Sequence, residues 1–187
     1  MLSRVLTIRS RRMPQVLALI LILGLSAPAA ADFSGRVVGV IDGHTVRVLS
    51  GKRIVKVRLY GIDCPAKKQP YGKQSKKALR QLVFGKVVTI REKETDGGGR
   101  PAAVVLAQDG HDVNRALVKA GWCWAYEKHS PDYSKEMQEA REAKRGLWQD
   151  PNPIRPEDWR QMKQRKMKPE RSPRIPGEIG TEPPMEF

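Results

Sequence analysis

The sequence predicts an α+β fold: a five-stranded Greek-key β-barrel with three packed helices. Three observations carry that prediction. Short runs rich in Val and Ile recur between turn-forming residues. Other segments switch to helical spacing of their apolar residues. The resulting order, β-β-β-α-β-β-α-α, is that of an OB-fold.

Gly35 to Val48 has β character and breaks at Asp42-Gly43, a strong hairpin signal. Ser50-Gly51-Lys52 turns the chain into a third strand, Ile54 to Leu59, completing a meander. Gln74 to Phe84 reads as a helix. Ala78, Leu79, Leu82 and Val83 share a face, Lys73, Lys76, Lys77 and Arg80 are polar, and Gly85 ends it. Val87 to Arg91 is a fourth strand, Asp96-Gly97-Gly98-Gly99 a flexible turn, and Ala102 to Leu106 a fifth strand closed by Asp109-Gly110. Val113, Ala116, Leu117 and Ala120 fall at i, i+3, i+4 and i+7, with Asp112 to cap and Gly121 to terminate. Trp122 to Tyr126 is extended, and its alternate aromatics read as core, with a partner-binding surface as the alternative. Ser130-Pro131 starts a last helix, with Tyr133, Met137, Ala140 and Leu147 on its buried side.

Both ends of the chain differ from this middle. Residues 1–31 combine four arginines, an apolar run from Val16 to Leu25 and an Ala29-Ala30-Ala31 ending. That is the pattern of a secretory signal peptide, too short to span a bilayer. Cleavage after Ala31 would leave an exported chain, periplasmic or extracellular, without a stable membrane span. The whole chain carries +15, of which the leader holds four charges, so residues 32–187 keep about +11. Such a charge points towards a polyanion: DNA, RNA or another anionic polymer. A monomer is expected. Cys64 and Cys123 leave both a disulfide and free thiols open, and are too few for a zinc finger. Residues 149–187 contain eight prolines and little apolar periodicity, which reads as a basic disordered tail. A globular domain over 32–148 remains.

The stretch richest in chemistry is Arg58-Leu59-Tyr60-Gly61-Ile62-Asp63-Cys64-Pro65-Ala66. An arginine within a β alternation and an acid at the strand's exit suit a phosphate and a metal. Ala66 is apolar where such a site would want a second carboxylate.

Several ordered motifs now coincide: Val40-Ile41-Asp42-Gly43-His44-Thr45-Val46, Val57 to Pro65, Gln69-Pro70-Tyr71-Gly72, Asp96 to Arg100, Asp112 to Val118, and Gly146-Leu147-Trp148. Over roughly residues 35–148 the chain resembles the staphylococcal nuclease (thermonuclease-like) family. The resemblance implies an OB-fold that hydrolyses phosphodiester bonds in DNA and RNA with calcium. Carboxylates would hold the hard dication, a glutamate would orient or deprotonate water, and two arginines would stabilise charge on the phosphate. Arg58 and Arg100 stand at those two arginine positions, as catalytic and substrate-binding candidates. Asp63 stands at one calcium-ligand aspartate.

The match is partial. His44 replaces the second acid of the family's D-G-D-T pattern, and Ala66 replaces the catalytic glutamate of D-x-P-E. Gly97 and Gly98 replace the basic and tyrosine residues that contact nucleotide. Histidine is a poor calcium ligand and a better one for zinc, copper or nickel.

Three functions follow. The leading one is an exported domain that binds nucleic acid or another polyanion with impaired or absent phosphodiesterase activity. A second is an active endonuclease with a rearranged site, in which Asp63, Asp42 and His44 gather another divalent metal and Glu92 or Glu94 serves as base. A third is a non-catalytic protein-interaction module.

Overall fold

Alternating burial builds the barrel. The structure is a computed structural model that describes residues 32–128 and 130–167. Strands β1 (Phe33–Asp42), β2 (Thr45–Ser50) and β3 (Arg53–Leu59) form the expected meander. After β4 (Ile62–Asp63) and helix α1 (Gly72–Val83) come β5 (Val87–Thr95) and β6 (Pro101–Leu106). The closed barrel has the order β1-β2-β3-β6-β5. Its one parallel contact joins β3 to β6, with Arg58 opposite Ala102 and Leu59 opposite Ala103. Val37, Val46, Val48, Val57, Leu59, Ile90 and Val105 point inwards and are wholly buried. Each such side chain stabilises the fold by about 1.5–3 kcal/mol relative to exposure.

The helices close the barrel's surface. Leu79 and Val83 of α1 are buried. That helix starts two residues before the expected Gln74, at Gly72, which sits against the Ala66 carbonyl with no room for a Cβ. Helix α2 (Val113–Lys119) has the expected cap: Asp112 accepts the Arg115 amide at 3.0 Å. Helix α3 (Ser134–Glu142) starts later than Ser130-Pro131 suggested. The Ser130 hydroxyl instead accepts the Asp132 amide at 3.2 Å, a local turn that competes with helix capping. Tyr133, Met137, Ala140 and Leu147 are buried as expected.

The extended segment after α2 reduces to β7 (Trp124–Ala125), paired with β4 so that Asp63 lies opposite Trp124. Trp124 is buried and meets Trp148 edge-on, ring centroids 4.3 Å apart. Beside this small sheet Cys64 and Cys123 form a disulfide.

Beyond residue 149 the chain differs from the expected disordered tail: Pro156–Met167 forms helix α4. Only Pro156 of α4 is buried. Polar contacts hold it in place, so apolar periodicity carried no trace of it. Residues 168–187, and residues 1–31 on which the expected signal peptide falls, lie outside the described residues. No helix among the described residues is long and apolar enough to cross a membrane.

Candidate functional site

Arg58 and Arg100 come together through the parallel β3–β6 contact. Val57 and Leu59 are buried in the barrel, so the alternation turns Arg58 outwards. Ala102 lies opposite Arg58, and Arg100 stands two residues before Ala102. Both arginines line a groove of about 530 Å³ with Tyr60, Glu94, Asp96 and Tyr126. Buried Asn114 secures this corner. Its amide nitrogen donates to the carbonyls of Tyr60 (2.9 Å) and Ala103 (3.1 Å), and its oxygen accepts the Val105 amide (3.2 Å).

Asp96 presents Arg100. One carboxylate oxygen accepts the amides of Gly98 (2.9 Å) and Arg100 (3.0 Å). The other accepts the Arg100 guanidinium at 2.8 Å from Nε and 2.6 Å from Nη2. The Arg100 side chain holds the Asp96 carboxyl down at about 2. The turn expected to be flexible is therefore tied by one carboxylate.

The other half of the site is arranged differently. Asp42 accepts the His44 amide at 3.0 Å, closing the β1–β2 turn. The Arg58 guanidinium lies 2.8 Å from His44 Nε2. Arginine only donates, so Nε2 accepts and Nδ1 carries the proton. That Nδ1 is buried, 3.8 Å from Asp42 and beyond hydrogen-bond distance. Burial lowers the His44 pKa below its ordinary value, and Arg58 adds to this. His44 is thus a neutral acceptor committed to Arg58.

Asp63 is 3 % exposed. Arg58 Nη2 lies 3.5 Å from its Oδ1. Arg160 of α4 forks onto both oxygens, at 3.3 and 2.8 Å. Ala66 offers no side-chain oxygen; its backbone amide donates to the Gln69 side-chain oxygen, Oε1, at 3.0 Å. Of the carboxylates considered as a substitute base, Glu94 lines the groove, whereas Glu92 accepts the Thr95 hydroxyl at 3.3 Å.

These residues do not suit calcium. A calcium ion takes six to eight oxygens. Among the described residues no three His, Cys, Asp or Glu side chains gather as a metal site. Asp42, His44 and Asp63, the candidate ligands, each have another partner. The polar groups here can instead hold an anion along the Arg58–Arg100 groove.

Sequence reasoning missed the roles of Asn114, Gln69 and Arg160. For Arg160 a signal existed. Pro156-Glu157-Asp158 followed by Arg165-Lys166 is a helix start and end with charges matched to the helix dipole.

Comparison with known proteins finds a family model and several relatives that match the chain. The family model "Staphylococcal nuclease homologue" matches residues 56–150. A protein of Escherichia coli O157:H7 described as an uncharacterized endonuclease is 44% identical over 135 residues, covering 71% of this chain and 88% of that protein. Protein ParB of Escherichia coli is 38% identical over 164 residues, covering 81% and 93%. A micrococcal nuclease of Shigella flexneri is 35% identical over 158 residues, covering 78% and 91%.

Proposed function

The chain belongs to the staphylococcal nuclease homologue family, and we propose that it binds nucleic acid with little or no phosphodiesterase activity. One observation carries this reading. Arg58 and Arg100 share a groove, while Asp63 is taken up by arginines and Ala66 stands where the family uses its glutamate. The arginines can grip successive phosphates of a strand, with Tyr126 in the same groove as a surface for a base. Loss of a general base alone costs about 10²–10⁴-fold in rate. An exported location accords with the disulfide and the basic, apolar N-terminal segment.

A second reading, an active endonuclease with a rearranged site, draws on two observations. Glu94 lines the same groove, and several relatives bear nuclease names. The experiment is to incubate the purified protein with single-stranded DNA and RNA in calcium, zinc, manganese or chelator, following cleavage and binding over a salt series. Binding that persists in chelator and weakens with salt, without cleavage, is expected. Metal-dependent cleavage would replace this reading with the second.

A further inference from the structure

Helix α4 and the two residues before it are fastened to the Asp63 half of the site at several points. The Gln69 side chain, whose Oε1 accepts the Ala66 amide, donates its Nε2 to the Ile154 carbonyl at 2.7 Å. The Arg155 guanidinium lies over the Trp124 ring, 5.0 Å from its centroid. Lys128 contacts both oxygens of Glu157, at 2.9 and 3.1 Å. Then comes Arg160, forked onto Asp63 across a separation of 97 residues. An unattached basic tail would make none of these contacts.

The physical demand comes from Asp63. A carboxylate that is almost wholly buried must be compensated or it destabilises the fold. In a calcium-dependent relative a divalent ion would supply that charge. Here one guanidinium engages both oxygens and a second stands 3.5 Å away. Arginine suits the role because its planar fork matches a carboxylate and it stays charged at any physiological pH. Hydrogen bonding to Asp63 raises the Arg160 pKa further.

We propose that Arg160 is a positioning residue that takes the place of the divalent ion at Asp63, making α4 part of the site and excluding calcium from it. Two consequences follow. The cation is covalently part of the chain, so a chelator cannot remove it. Restoring the family's acids is also insufficient to restore a calcium site while Arg160 remains. The proposal concerns the cation at Asp63 and stands whether or not the groove binds nucleic acid.

The test is calcium affinity, by titration calorimetry and by terbium luminescence, in the full-length protein and three variants: His44→Asp, Arg160→Ala and the two combined. The native protein and His44→Asp should take up no calcium at millimolar concentration. The double variant should bind at least about tenfold more tightly than His44→Asp. Equal calcium affinity with and without Arg160 in the His44→Asp background, including none in either, overturns the proposal. So does calcium uptake by the native protein that Asp63→Asn abolishes. Arg160→Lys keeps the charge and should still exclude the ion. Hydrogen exchange supplies a readout that needs no metal. Asp63→Asn should raise exchange of the α4 amides while β1 and β2 stay protected, and unchanged α4 exchange overturns the docking.

Discussion

Two carboxylates flank the arginines of this groove, and arginine binds each, yet the pairs have different origins. Asp96 and Arg100 are four residues apart in one turn, and the carboxylate also orders that turn through two backbone amides. Asp63 meets Arg58 from the preceding strand and Arg160 from a helix 97 residues away. The first pair leaves an arginine displayed at the groove. The second consumes the acid on which a metal would depend. Local pairing here holds an arginine at the groove, and long-range pairing surrounds a buried acid with arginines.

The largest effect should come from breaking the long-range half. The Cys64–Cys123 bridge ties the exit of β4 to the entry of β7 across 59 residues. Replacing both cysteines by serine should cost about 4 kcal/mol on the chain-entropy account. Urea unfolding of native and variant proteins measures it, and a loss below about 1 kcal/mol would mean that α4 and the β4–β7 pairing hold this half without the bridge.

The groove is the next target. Arg58→Ala and Arg100→Ala should each weaken single-stranded DNA binding about tenfold. Each should also flatten the dependence of log affinity on log salt by about 0.7. Fluorescence anisotropy across a salt series checks both. An Arg100 variant with native affinity would show that Asp96 fully occupies that guanidinium and that the local pair presents nothing.

The smallest effect is the pH response of the local pair. The folded Asp96 carboxyl lies at about 2, below its ordinary 3.8. A depressed acid contributes stability above its unfolded pKa and loses it as pH falls through the folded value. Asp96→Asn should therefore cost about 1–2 kcal/mol at pH 7 and only a few tenths, about 0.4 kcal/mol, at pH 2. Unfolding of the two proteins from pH 7 to 2 should converge. Curves that stay parallel would show that Asp96 orders the turn by shape rather than by charge.

Much of the fold was legible because it is written in short periods. Val57 and Leu59 alternate with Arg58, Val113 and Leu117 repeat along a helix, and Asp112 caps by a contact three residues long. The site was half legible. Arg58 and Arg100, singled out in the sequence, share one groove, and Ala66 has no side-chain oxygen to offer. Ser130 misled because its hydroxyl serves a turn as readily as a helix cap.

By itself, then, the sequence determined the barrel, its first three helices and the outward-facing Arg58, since each rests on neighbours or on residue type. Tertiary structure alone decided that Cys64 meets Cys123, that Gln69 holds Ile154 and that Arg160 forks onto Asp63. Those contacts join residues 59 to 97 positions apart. No local period records them. They form because the closed barrel and its small sheet have already met the entropy of bringing distant segments together, leaving a buried carboxylate that needs a cation.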